Sequence, residues 1–271
     1  MALPVALQLY SIRDDVQKDM KAALVKVKEM GYAGVEFAGL YGNSPADIKA
    51  MCAEVGLNPI SAHVPIDEMV KDPEGTIAAY AEIGCKFIVV PYVIEERRPG
   101  GSKFDQTIED IKNIGAVAKK HGLTLLYHNH DFEFVKIDGT YGLDLIYERV
   151  PADLLQTEID TCWANVGGVD PSAYLLKYTG RAPVVHLKDF SGEKSDDMYE
   201  LIGIEKKAPT RPSNIEFRPF GFGYQNVPNI LDATVKAGAG WVVVEQDQPS
   251  MGKTPLECAA MSRAYLKLLG W

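Results

Sequence analysis

Short apolar runs recur eight times along this chain, each followed by a stretch of helical periodicity. The runs cover 5–10, 33–37, 58–63, 86–90, 123–128, 154–159, 182–187 and 241–245. Each is rich in Val, Ile, Leu or aromatic residues and mostly unbroken by charge until its last positions, the pattern of strands buried on both faces. Between the first two, Met20, Ala23, Leu24, Val27 and Met30 form one helical stripe, and Gly31 closes it. Ser44 followed by Pro45 opens the next helix, and Gly56, Gly84, Gly122 and Gly238 stop four others. Met261, Ala264, Tyr265 and Leu268 predict the apolar stripe of the last helix. Right-handed crossovers leave few topologies for eight such units, so a closed parallel α/β barrel is expected, in one domain over 1–271. A doubly wound open sheet would carry a glycine-rich phosphate loop after its first strand, where this chain has Gln8-Leu9-Tyr10-Ser11-Ile12-Arg13.

The spacing breaks once. A polar excursion over 189–225 follows the seventh run, with 198–204 and 214–218 alternating as the arms of a hairpin. An insertion there sits at the C-terminal mouth of a barrel, where loops shape access and where two copies of a chain can pair. With 28 Lys and Arg against 37 Asp and Glu, the charge is −9, which argues against binding nucleic acid. Cys52, Cys85, Cys162 and Cys258 form no C-x-x-C pair and read as buried thiols of a reducing compartment. The first residues lack a basic and apolar leader, and no run approaches the length of a membrane span, so a cytoplasmic location away from membranes is expected.

The ends of the runs carry the chemistry. Glu36, His63, His128 and His130, Glu158 and Asp160, His186 and Lys188, and Glu245 and Asp247 all fall there, and residues two apart on a strand share a face. Four of the five histidines occupy such positions; His121, late in a helix, does not. Carboxylates and imidazoles converging on one rim call for a neutralising cation, and a divalent metal supplies it economically. Asp160, His186 and Glu245, on three adjacent strands, are the strongest candidates. Glu36 and His63 taken singly read as hydrogen-bonded rim residues. Phe37, Phe132, Trp163 and Phe222 are candidates to stack on a sugar ring or to cover the core. Arg13, Lys188 and Arg218 are lone basic residues near the mouth, with no dedicated phosphate cradle.

Tyr127-His128-Asn129-His130-Asp131-Phe132-Glu133-Phe134, Glu158-Ile159-Asp160-Thr161-Cys162-Trp163, Val185-His186-Leu187-Lys188-Asp189 and Val244-Glu245-Gln246-Asp247 together resemble the xylose isomerase-like superfamily. It includes sugar epimerases and isomerases, inosose dehydratase and endonuclease IV. The resemblance covers essentially the whole chain and implies a (β/α)8 TIM barrel with an insertion after the seventh strand. It also implies one divalent metal, Mn²⁺ first, with Mg²⁺, Co²⁺ or Zn²⁺ as alternatives. Asp160, His186 and Glu245 match three of the family's ligands. For the fourth, His128-Asn129-His130 stands where many epimerases have Glu, so Glu133 is the expected ligand and His130 the alternative.

The resemblance further implies a small sugar or polyol substrate held through its carbonyl and neighbouring hydroxyl, with an enediolate formed by proton loss from the adjacent carbon. Glu158, Glu245, His128 and His130 are candidate bases, and Lys188 a candidate donor to the developing oxyanion. Returning the proton makes an isomerase or epimerase, the leading reading. Expelling a β-substituent instead makes an inosose dehydratase or a 3-keto-glycoside lyase. A non-catalytic sugar-binding barrel is the reading from another class, and endonuclease-like DNA repair, with its trinuclear zinc site and basic groove, fits the composition least.

Overall fold

All eight runs form strands in the computed structural model, which describes residues 2–193 and 214–271. They are β1 (Val5–Gln8), β2 (Gly34–Phe37), β3 (Asn58–Ala62), β4 (Phe87–Val90), β5 (Thr124–His128), β6 (Gln156–Asp160), β7 (Val184–Leu187) and β8 (Trp241–Val244). Their order is β3-β2-β1-β8-β7-β6-β5-β4, parallel at every pairing. A parallel bridge between His63 and Val89 and the bond from Val64 N to Val89 O (3.0 Å) join the two ends into a barrel.

The two-residue period of a strand explains how this barrel is filled. Ala6, Ile60, Val89, Leu126, Val184 and Val243 form an apolar plug inside it. Each of the Val, Ile and Leu side chains among them contributes roughly 1.5–3 kcal/mol by leaving water. One step further along, the inward positions are Gln8, Glu36, His128, Glu158, His186 and Glu245, all buried. The intervening residues, among them Val35, Leu125, Tyr127, Ile159, Val185 and Val242, face the helices and join the larger core.

The helix ends follow their cap residues. Asp19 caps Met20–Met30 through Ala22 N, and Gly31 ends that helix at φ +92°. Ser44 caps Pro45–Val55 through Asp47 N, and Thr254 with Glu257 makes a capping box on Pro255–Leu268. That last helix departs from the expected stripe. It buries Cys258, Ala259, Ser262 and Leu266, while Leu268 is 86% exposed. Contacts rotate the helix: Tyr32 Oη donates to Ala259 O and Phe220 N to Ser262 Oγ.

The excursion also pairs differently from expectation. Glu216–Arg218 is a strand, but its antiparallel partner is Asp189–Ser191; the expected arm 198–204 lies outside the described residues. The buried Asp189 carboxylate accepts from Gly221 N, Gly223 N and Gln225 N at 3.0–3.1 Å, tying the returning chain to the end of β7. All four cysteines are buried free thiols. Among the described residues no helix is long and apolar enough to cross a membrane.

Candidate metal centre and cavity

The polar layer above the apolar plug is a continuous network. Glu36 accepts from Gln8 Nε2 at 2.8 Å and from Ser61 Oγ, and its Oε1 lies 2.7 Å from His186 Nε2. Burial opposes charge on Glu36, but His63 and His186 overcome it and hold the carboxyl at about 2. An ionised Glu36 therefore fixes the proton of His186 on Nε2 and turns Nδ1 toward Glu245 Oε2, 3.1 Å away. Only a proton or a metal can sit favourably between those two acceptors. Burial disfavours the imidazolium, yet Glu158 and Glu36 outweigh it and raise His186 well above the usual histidine range.

His128, Asp160, His186 and Glu245 each bring one donor atom to within 4.8 Å of the others. Asp160 uses Oδ1 to cap the helix Thr161–Val166 through Trp163 N at 2.8 Å. Its Oδ2 is buried without a hydrogen-bond partner, as is His128 Nδ1. Asn129 clamps the Asp160 backbone from the neighbouring strand end, accepting from Asp160 N at 3.0 Å and donating to Asp160 O at 3.3 Å. Burial, reinforced by His186, pushes His128 well below the usual range, so it presents a neutral imidazole. Burial lifts Asp160 to about 6 against the pull of Lys188 and His186. Two imidazoles and two carboxylates, with Asp160 Oδ2 free of hydrogen bonds, make a mixed nitrogen and oxygen set that could hold a divalent ion. The donor set thus holds one more nitrogen than the sequence suggested.

A second set, His63, His128, Glu158 and His186, also gathers within 4.8 Å. It is partly engaged: His63 Nε2 lies 2.7 Å from Glu158 Oε2 and 3.2 Å from Glu36 Oε1, while Glu158 Oε1 and His128 Nδ1 make no hydrogen bond. The His186 Nε2 it would need is taken by Glu36. The first set is the better cradle.

Glu133, the expected fourth ligand, is turned elsewhere. Its Oε1 accepts from Tyr127 Oη and its Oε2 from His130 N, both at 2.7 Å, and it is outside both clusters. The short turn Phe132–Phe134 folds the side chain back beneath the end of β5, and burial raises its carboxyl to about 8. His128 fills the place on the fifth strand. His130, the alternative ligand, stacks on Phe132 (ring centroids 5.4 Å) and lines the cavity beside the cluster. Burial, then the Lys188 charge, lowers it well below the usual histidine range.

Lys188 is almost wholly buried, with Nζ 2.9 Å from Asp247, 3.0 Å from Glu245 and 3.7 Å from Asp160. Burial disfavours its charge, but Asp247 and Glu245 outweigh that and keep it protonated. Glu158 contacts three imidazoles, with Oε2 2.7 Å from His63 Nε2, 3.3 Å from His186 Nε2 and 3.4 Å from His128 Nδ1. Burial and the nearby Glu36 raise its carboxyl to about 7.

A cavity of about 600 Å³ opens above this layer. His63, His128, His130, Lys188, Glu245 and Asp247 line it together with Tyr10, Leu40, Tyr41, Tyr80, Pro91 and Tyr92. The aromatics singled out in the sequence lie elsewhere. Phe37 and Phe132 are core residues, Phe222 contacts Tyr265 outside the cavity, and Trp163 lies beneath Lys188. The basic candidates are likewise engaged. Arg13 donates to Tyr10 O and Asp247 O, and Arg218 to Ser191 and Glu216. His63 was legible only as a rim residue, because its value comes from contacts with Glu36 and Glu158 across 27 and 95 positions of chain.

Comparison with known proteins agrees with this architecture. The inosose dehydratase of Clostridium perfringens is 26% identical over 276 aligned positions, covering 89% of this chain and 88% of that protein. The inosose dehydratase of Geobacillus kaustophilus is 23% identical, covering 91% and 86%. Among solved structures, a sugar phosphate isomerase/epimerase from Parabacteroides distasonis superposes with a TM-score of 0.78 at 23% identity, covering 98% of this chain and 94% of that one. The family model for xylose isomerase-like TIM barrels matches residues 24–267, and the chain belongs to that family.

Proposed function

We propose that this protein is a divalent-metal-dependent enzyme that removes a proton from the carbon beside a carbonyl of a small keto-sugar or keto-polyol. The observation that carries the reading is the convergence of His128, Asp160, His186 and Glu245, with Asp160 Oδ2 buried and unbonded. A cation held there, Mn²⁺ first, would supply Lewis-acid polarisation of the substrate carbonyl. His63, an imidazole of the Glu36–Glu158 network, lines the cavity, and it takes the substrate proton while Glu158 steadies the imidazolium. Lys188, protonated and lining the same cavity from the end of β7, supplies a proton to an oxygen of the substrate.

That asymmetry favours elimination over epimerisation. The C–H bond gives its proton to His63, its electron pair forms a C=C bond as the neighbouring C–O bond breaks, and the departing hydroxyl leaves as water with the proton of Lys188. Twin carboxylate bases on opposite faces would suit an epimerase, but the fifth strand ends in His128 and Glu158 is covered by imidazoles. The names of the inosose dehydratases above point the same way. Sugar isomerisation or epimerisation is the second reading, since it shares the first step. Incubating inososes and ketoses with the Mn²⁺-loaded protein in deuterated water and following them by NMR separates the two. Loss of a hydroxyl supports elimination, deuterium uptake with all oxygens retained supports isomerisation or epimerisation, and a protein that neither binds Mn²⁺ nor alters any substrate refutes both.

A further inference from the structure

The turn over 38–42 is built in a way the proton chemistry does not require. Tyr41 has φ +51°, between Gly39 at +106° and Gly42 at +78°. A bulky residue rarely adopts that conformation, and such outliers persist where the surroundings enforce them for a purpose. A Cβ at either glycine would meet nothing within 4 Å, so the glycines serve the shape of the backbone and do not relieve crowding. The shape sets Leu40 and Tyr41 on the cavity wall, where Tyr10 and Tyr80 also lie.

The cavity is larger and more apolar than one sugar ring at the metal centre needs. At about 600 Å³ it falls in the range that encloses a drug-sized ligand. Its charge also discriminates. Among the described lining residues Lys188 is the only lysine or arginine, and Asp160, Glu245 and Asp247 already surround its ammonium. Arg13 is committed to two carbonyls and lies 4.3 Å from the centre of the Tyr10 ring. Glu68 adds a further negative charge to the lining. A phosphate would meet a wall of its own sign, whereas the C–H face of a neutral ring would meet tyrosines.

We infer that the site takes a glycoside, with the reacting sugar over the metal centre and a second, uncharged ring against the ledge of Tyr41, Leu40 and Tyr10, and that it does not take a sugar phosphate. This rests on the proposed function for the position of the reacting ring. The test compares methyl β-D-glucopyranoside, phenyl β-D-glucopyranoside and glucose 6-phosphate by calorimetry on the full-length, Mn²⁺-loaded protein. The phenyl glycoside is expected to bind up to about tenfold tighter than the methyl one, the span of a good aromatic contact. Tyr41→Phe should keep that preference. Tyr41→Asn, which tolerates the left-handed backbone but lacks the ring, should bring the two within about twofold. Equal affinities in the wild type, binding of neither glycoside, or tighter binding of glucose 6-phosphate would overturn the inference. A Mn²⁺ titration on the same samples separates the two claims. Normal metal binding without a ring preference sinks the ledge alone, and a ring preference that Tyr41→Asn removes, in protein that binds no Mn²⁺, supports the ledge while sinking the metal reading.

Discussion

Asp160, at the end of β6, and Glu133, shortly after β5, are both fully buried carboxylates that accept a backbone N–H. The difference lies in the second oxygen. Glu133 gives its other oxygen to Tyr127 Oη, so its valences are closed, and burial holds it as a neutral acid with a carboxyl at about 8. Asp160 keeps Oδ2 unbonded among His128, Lys188 and Glu245, and its carboxyl reaches only about 6. A buried oxygen that makes no hydrogen bond is costly, even with the Lys188 ammonium 3.7 Å away, and this is why we propose that a cation completes it. Two acids of similar burial thus divide into a proposed metal ligand and a strut by one lone pair.

The sharpest way to break this contrast is to remove Asp160. Asp160→Ala should weaken Mn²⁺ binding by more than about 100-fold, exceeding what loss of an outer partner costs, while Glu133→Gln stays within a few-fold of the wild type. Calorimetric titration with MnCl₂ measures both, and equal losses would erase the distinction. Glu36→Gln comes next. It leaves every ligand in place but weakens the acceptor that orients His186, and a 10–100-fold loss of Mn²⁺ affinity is expected in the same assay. An unchanged affinity would mean that Glu36 does not set the tautomer of His186.

Lys188→Met should act in the opposite direction. The ammonium neutralises Glu245 and Asp160 on the metal side, so its removal is expected to tighten Mn²⁺ binding by about tenfold, a modest share of the Coulomb repulsion at this range. Weaker binding would show that Lys188 organises the cradle.

The last prediction concerns the strut and is read in stability, not in metal affinity. Because the folded carboxyl of Glu133 titrates near 8 and its unperturbed value is 4.5, the folded chain keeps a proton that the unfolded chain releases between those values. Stability from this group is therefore present at low pH and declines as pH rises through that window. Glu133→Gln removes the ionisation, so it should gain on the wild type by about 3–4 kcal/mol between pH 5 and pH 8. Urea unfolding at the two pH values checks this, and a constant difference would mean that Glu133 ionises in the fold.

The order of strand and helix, and the inward direction of Glu158, Asp160, His186, Lys188 and Glu245, were written in local pattern. A strand alternates every two residues, and a parallel barrel exposes the ends of its strands at one mouth. That was enough to pick out three of the four clustered donors. The fourth was not readable, because choosing among His128, His130 and Glu133 depends on how the turn after β5 folds back onto Tyr127. The bond from Glu36 to His186 spans 150 positions, and the pairing of Asp189–Ser191 with Glu216–Arg218 bridges a long excursion; neither leaves a periodic trace. Nor does the backbone of Tyr41, whose left-handed turn is expressed only as two flanking glycines. Local chemistry determines which groups reach the mouth of the barrel. Which lone pairs are left over once they meet is a property of neighbours in space, and only the closed barrel assigns those neighbours.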